Sequence, residues 1–327
     1  MDVRWISAGG VERRSAEDIA ALLGRDDGFL WVDIPTCHEE ASRTLSDTFG
    51  FHPLAVRACR DRSHVPRLRT YPDHLFIVLH APEAGDAGHV HLVELDLFVG
   101  LRYLVTVHGP LGEGVTPEVA LQDTGAVLRR MEEGRVRPSS PAELSHAIAS
   151  ALAGRMESFV AELATRVAAM ERRVMEGHVR DPEQALEELF RVRHELLTVR
   201  TMAAQSTEVY ARMSSLVSFL PEGTRPFVED VVDRFDRIRN MCDGEKEFLQ
   251  GVVDFYQSRT ATKMNIAIER LALIAALMMP ITAVAAIYGM NIIVPRQTSP
   301  LHVGGVLVVM GAVMTLMLRW ARRHGWW

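Results

Sequence analysis

Two uncharged runs near the C-terminal end constrain this chain more than any other feature. Residues 271–290 read LALIAALMMPITAVAAIYGM and residues 301–318 read LHVGGVLVVMGAVMTLML, and neither holds an Asp, Glu, Lys or Arg. At a rise of about 1.5 Å per residue, a helix of that size matches the roughly 30 Å hydrocarbon core of a bilayer. Only NIIVPRQTSP, residues 291–300, separates the runs. A connection so short forces an antiparallel hairpin across the membrane. The competing arrangement, a helical hairpin buried in a water-soluble core, requires partners for two fully apolar helices at one end of the chain.

Charge divides the chain at the same place. Residues 1–262 carry 30 basic and 41 acidic side chains, whereas residues 263–327 carry 6 and 1. An acidic body repels nucleic acid. Lys263 and Arg270 precede the first run, and Arg319, Arg322 and Arg323 follow the second; the loop between them holds only Arg296. The positive-inside rule then predicts both termini in the cytoplasm and the loop outside. Trp320, Trp326 and Trp327 suit an interfacial aromatic belt. Residues 1–10 lack the apolar stretch of a signal peptide. The three cysteines, Cys37, Cys59 and Cys242, are far apart and form no CxxC pair. That spacing predicts free thiols in a reducing compartment and no thiolate zinc site.

The body reads as an α/β domain followed by long helices. Residues 28–34, 74–80, 89–100 and 103–108 are short apolar runs punctuated by Gly, Pro and Asp, as strands are. Residues 15–23 and 39–49 are helical between them. From about Pro141 the pattern changes to helical spacing over 142–175. Asp181-Pro182-Glu183 marks a helix start, with Asp as N-cap and Pro at the first helical position, and the helix runs to about Met213. After the turn PEGTRP, residues 227–290 contain no Gly-Pro break, and Pro280 falls where membrane helices tolerate proline. The expected apolar stripe is Val228, Val231, Val232, Phe235, Ile238, Met241, Phe248, Leu249, Val252 and Phe255, opposite Asp230, Asp233, Asp236, Arg237 and Arg239. A helix this long needs helical partners. The boundaries that follow are an α/β domain over 1–140, a helical hairpin over 141–222, a stalk over 223–270, a first span over 271–291, a loop over 292–300, a second span over 301–318 and a basic tail over 319–327.

The first span ends in Tyr288-Gly289-Met290-Asn291. The segment MMPITAVAAIYGMN, closing the first of two C-terminal spans after an unbroken helix, closely resembles the first membrane helix of the CorA family of divalent metal-ion transporters with its Gly-Met-Asn signature. The resemblance extends over nearly the whole chain, through Phe29–Ile34 with Trp31 and Asp33, His52-Pro53-Leu54, residues 75–79, 103–108 and 191–200. It implies a homopentameric funnel in a bacterial cytoplasmic membrane, with the first span lining the pore and the second forming an outer ring. It further implies transport of magnesium, and of cobalt and nickel, through a filter of Gly289, Met290 and Asn291. Magnesium keeps its water shell and prefers oxygen ligands, and a ring of neutral amides can hydrogen-bond those waters without trapping the ion. Asn291 is equally suited to a helix C-cap.

By the same resemblance, Thr282, Met279, Ala275, Ala272 or Leu271, Ile268, Asn265 and Asp254 form the pore-facing line. Thr282 and Asn265 are its polar positions. Met279, Leu271 and Ile268 form an apolar constriction that gates by dewetting, and Asp254 is a carboxylate ring at the cytoplasmic mouth. Packing residues and an exposed ion pair are the plainer readings of Met279 with Ile268 and of Asp254. Relatives carry Met-Pro-Glu-Leu in the outer loop, whereas IIVPRQTSP has Arg296 and no acid. Relatives also place a Glu-Asp pair after His-Pro-Leu to form a regulatory metal site, and here Arg57 and Ala58 stand there. Asp230 matches the stalk-side acid of that site but is left as a weak ligand.

Two alternatives stand beside this reading: a zinc transporter of the related ZntB type, possible with proton coupling, and a membrane-anchored coiled-coil scaffold that moves no ion. His89 and His91 share a strand face, as a two-histidine zinc site or as exposed side chains, and His38 with Glu39 and Glu40 reads as a helix start. No HExxH, P-loop or nucleophile elbow is present, so an enzyme reading has no site to rest on. No resident cofactor is expected; the divalent ion is cargo or regulator.

Overall fold

A computed structural model describes residues 1–112, 114–176, 181–215, 223–289 and 300–323. The chain divides into two units, Met1–Val252 and Val253–Trp327. In chain order the elements are β1 (Asp2–Ser7), β2 (Gly10–Arg14), α1 (Ile19–Leu22), β3 (Gly28–Ile34), α2 (Glu39–Arg43), α3 (Pro53–Arg60), β4 (Arg67–Thr70), β5 (His74–Ala84), β6 (Val90–Gly100), β7 (Tyr103–His108), α4 (Pro117–Ala120), α5 (Gln122–Glu132), α6 (Pro141–Glu176), α7 (Pro182–Ser215), α8 (Arg225–Gly289) and α9 (Pro300–Arg323). The α/β body, the long helices and the C-terminal pair of apolar helices are thus as the sequence predicts. The expected strands are present, but β1, β2 and β4 were not anticipated. All three carry charged side chains at alternating or successive positions, which mask the apolar period.

In the first unit a seven-stranded sheet has the order β2-β1-β3-β7-β6-β5-β4. Only β3 and β7 pair in parallel; the other neighbours are antiparallel. The central strands are continuous apolar runs because both faces are covered, as the burial of β7 shows. The edge strands β2 and β4 carry Glu12, Arg13, Arg14, Arg67 and Arg69, charges that oppose edge-to-edge pairing. Gly28 is required at the start of β3, since a Cβ there would lie 2.3 Å from the Ile6 carbonyl oxygen. One face packs on α1, α2 and α3 through a core containing Leu30, Val32, Phe51, Cys59, Phe76, Phe98 and Val105. On the other face Arg155 of α6 donates to Glu83 on β5 and to Asp123 on α5.

The long helices of this unit pack by a 3,4 rhythm. Buried positions are Leu144, Ile148, Leu152, Met156, Val160, Leu163, Val167 and Met170 on α6, and Leu189, Val192, Leu196, Val199 and Ala203 on α7. On α8 they are Val228, Val231, Phe235, Ile238, Cys242, Leu249 and Val252. This corrects the expected stripe: Cys242 belongs to it, Val232 and Met241 are half-buried, and Phe248 and Phe255 are 44% and 48% exposed. A 3,4 alternation averages the heptad period, and Phe248 and Phe255 fall one position before the buried a/d-type set. Arg200 to Asp243 and the Tyr210–Phe235 ring contact tie α7 to α8. The Asp181 carboxylate accepts from the backbone N–H groups of Glu183 and Gln184, which is the N-cap expected for α7.

Candidate functional site: the apolar helix pair and its stalk

The second unit holds the C-terminal part of α8 and the whole of α9. Both helices are long and apolar enough to cross a membrane, and neither apolar window is buried within the chain. Leu271 is 69% exposed, Met279 71% and Ile268 59%. Water does not tolerate such a surface on a monomer; lipid or neighbouring copies must cover it. Among the described residues α8 is unbroken through Pro280, the proline that removes one backbone donor, and it ends at Gly289.

Helical geometry groups the sequence-derived pore residues. At roughly 100° per residue, Asp254, Asn265, Ile268, Ala272, Ala275 and Met279 fall within an arc of roughly 80°. Thr282 and Leu271 extend it to roughly 120°. All of these side chains are exposed in the single chain. The Thr282 hydroxyl donates to the Met278 carbonyl at 2.9 Å, so its oxygen keeps acceptor capacity outward. Gly289 is the last described residue of α8. Met290, Asn291 and Arg296 lie outside the described residues.

Asp230 stands apart from this line, on the stalk part of α8 in the first unit. His146 Nε2 donates to Asp230 Oδ2 at 2.8 Å, and Arg234 Nε donates to the same oxygen at 2.8 Å. These bonds, the histidine's first, hold the Asp230 carboxyl below the usual carboxylate range. Two positive or polar donors on one carboxylate oxygen compete directly with a metal ion there. Arg57 is occupied by Asp61 one turn along α3. No group of three or more His, Cys, Asp or Glu side chains able to hold a metal exists among the described residues. His89 and His91 form an edge-to-face ring pair at 4.9 Å.

Sequence reasoning missed a buried network that fixes the sheet. Trp31 Nε1 donates to the Thr106 hydroxyl at 3.1 Å, which donates to Asp33 Oδ1 at 2.5 Å. His108 Nε2 donates to the same oxygen at 2.9 Å, and Thr124 of α5 to Asp33 Oδ2 at 3.0 Å. Trp31 and Asp33 at alternate positions on one strand, beside a Thr-x-His on β7, were the available signal. The network is structural: it joins β3, β7 and α5, and it saturates Asp33.

The family model for the CorA-like Mg2+ transporter protein matches residues 26–323. The cobalt/magnesium transport protein CorA of Thermotoga maritima is 22% identical over 303 residues, covering 90% of this chain and 83% of its own. The complete structure of the CorA magnesium transporter from Methanocaldococcus jannaschii superposes with a TM-score of 0.81 at 16% identity, covering 100% of this chain and 99% of that one. The cytoplasmic domain of ZntB from Vibrio parahaemolyticus matches with a TM-score of 0.59 at 11% identity, over 80% of this chain and 98% of its own. At these identities the two structural likenesses speak to the fold.

Proposed function

This chain belongs to the CorA-like Mg2+ transporter family, and on that premise we propose that it moves divalent cations, magnesium first and cobalt or nickel with it, through a homopentameric membrane pore. The observation that carries the proposal is the division of labour along α8. Its first part buries a heptad stripe against α6 and α7, and its second part presents an exposed, uncharged span with polar residues on one face. Asn265 in the stalk and Thr282 in the span fall on one line, as a water-filled axis shared by several copies requires.

In this reading a ring of Asn291 side chains, one per subunit, meets the hydrated ion. Gly289 and Met290 bring the backbone and a polarisable side chain to the same level. Amide oxygens accept from coordinated waters, so the ion enters without complete dehydration. Thr282 and Asn265 are polar stations beyond it. Met279, Leu271 and Ile268 form the constriction, and its closure dewets the pore. A ring of Asp254 raises local cation concentration at the cytoplasmic mouth. Asp230, shared between His146 and Arg234, contributes no strong regulatory metal site, and cytoplasmic metal feedback through this position is weak. Zinc is the cargo that would fit the ZntB likeness instead.

Two measurements test this. The mass of the protein purified in mild detergents is expected to be that of a pentamer; a monomer or dimer across several detergents counts against the shared axis. Initial flux into proteoliposomes, with magnesium, cobalt, nickel and zinc compared side by side, is expected to favour magnesium and cobalt. Zinc-selective flux moves the assignment to the second cargo.

A further inference from the structure

The face of the sheet beneath α3 holds two acidic side chains in what is otherwise apolar core. Glu94 and Asp96 are neighbours on one face of β6, and they are 4% and 0% exposed. Among the described residues no nitrogen or oxygen donor reaches either oxygen of Asp96 or Glu94 Oε1, and the Cys59 thiol is the polar group against Asp96. Glu94 Oε2 accepts from the backbone N–H of Ser63 at 2.6 Å. His80, directly across from Glu94 on β5, donates from Nε2 to the Ser63 carbonyl at 2.7 Å. Both backbone groups of Ser63 are therefore held from below, and Ser63 lies in the segment joining α3 to β4. Gly109 closes the site from the end of β7, where a Cβ would lie 2.7 Å from the Glu94 Cβ.

Two ionised carboxylates cannot share a buried face at adjacent same-side positions without a counter-ion in contact. The groups acting on them are the thiols of Cys37 and Cys59, the guanidinium groups of Arg62 and Arg67, and His80, whose Nε2 lies 3.9 Å from Glu94 Oε2; Arg60 and His64 lie one step further out, beside Cys37 and His80. No ion pair joins any of those arginines to Glu94 or Asp96; Arg67 instead donates to the Ser63 hydroxyl. We infer that Glu94 and Asp96 form a proton-binding site beneath the α3–β4 segment, which is held closed while the pair keeps a proton and loosens when both carboxyl groups are ionised. The inference stands whatever the chain transports.

Burial pushes both carboxyl groups up, Glu94 to about 7, and the Glu94 charge pushes Asp96 up further. Burial pushes His80 down to about 4, so it stays a neutral donor throughout and is not the titrating group. A carboxyl whose value is higher in the closed state binds its proton more tightly there. Closure is therefore favoured by acid and opposed as pH rises.

The test is hydrogen exchange of the amides of residues 62–65 and of Arg67 in the full chain, in detergent, between pH 6 and pH 8. Protection, corrected for the chemical exchange rate, is expected to fall about tenfold over that range, from the closed-state value near 7 and an ordinary value when the segment opens. Glu94→Gln keeps an oxygen for the Ser63 N–H, and combined with Asp96→Asn it leaves no carboxyl of the pair to titrate, so protection in that double variant is expected to be flat. The unsubstituted protein supplies a second readout, an infrared band of protonated carboxyl groups that declines between pH 6 and pH 8. Flat protection in the unsubstituted chain, the same pH dependence in the double variant, or no protonated-carboxyl band at pH 6 would each overturn the latch.

Discussion

Replacing Arg155 by Met asks how firmly α6 is tied to the sheet, and the structure supplies the size of the answer. Arg155 is 8% exposed and donates to the Val119 carbonyl at 3.0 Å, Asp123 Oδ2 at 3.2 Å and Glu83 Oε2 at 2.7 Å. Methionine keeps much of the length and removes the charge without opening a large cavity. Asp123 bears the consequence, because it too is 8% exposed, whereas Glu83 is 33% exposed. Stranding one member of a buried pair costs about 3–5 kcal/mol; the more exposed Glu83 adds no more than about 1 kcal/mol. Burial already holds the Asp123 carboxyl above its ordinary value, with Arg155 pulling it back. Without Arg155 that value rises further. A carboxyl raised in the folded state contributes stability when protonated and loses it as pH climbs through the folded value. The penalty is therefore expected to be small at pH 5 and near its full size at pH 8. For a unit of this size, about 2–4 °C per kcal/mol gives a loss of roughly 6–20 °C at pH 8. Thermal unfolding of the full chain in detergent, at both pH values, reads it directly. Asp123→Asn combined with Arg155→Met is expected to recover most of the loss. An equal loss at pH 5 and pH 8, or a double variant as unstable as the two losses summed, refutes the reasoning.

Phe235→Ala removes a side chain with no exposure from the α8 stripe, and a loss of about 3–5 kcal/mol is expected in denaturant unfolding of the same chain; a loss under about 1 kcal/mol means that the stripe is not what holds α8. Arg296→Glu reverses the one charge of the outer loop and is expected to raise divalent influx, more at low than at high ionic strength, because exposed charge is screened over about 8 Å at physiological salt. Unchanged influx at low salt places Arg296 among lipid headgroups. His146→Phe strips one donor from Asp230, and its carboxyl is expected to move up towards the ordinary range in a titration followed by carbon NMR. No movement would remove the histidine as the main cause.

The long helices were legible because their apolar positions repeat without interruption and because Asp181-Pro182 states where α7 starts. The central strands β3 and β7 were legible to the residue for a related reason: with both faces covered, their few polar positions, Asp33, Thr106 and His108, interrupt runs that are otherwise apolar. The charged strands β1, β2 and β4 were not, since one-sided burial and charged side chains dilute the period. Phe248 and Phe255 misled the reading of α8, as large apolar side chains look like core until the register is known, and Cys242 was overlooked as core for the opposite reason. In HVHLVELDLFVG the acids Glu94 and Asp96 went unremarked; only the fold shows α3 lying over them. The proposed pore line rests on helical spacing and on the Gly-Met-Asn resemblance, both of them local features. The His146 and Arg234 partners of Asp230 could not, since the first lies 84 positions away.

The central claim is that this chain conducts divalent cations past Asn291, and initial magnesium influx into proteoliposomes tests it most directly. The unsubstituted protein is expected to move magnesium well above protein-free vesicles. Asn291→Ala is expected to fall to that background while keeping the same oligomeric mass. Influx in Asn291→Ala equal to that of the unsubstituted chain, or no influx in either, contradicts the account.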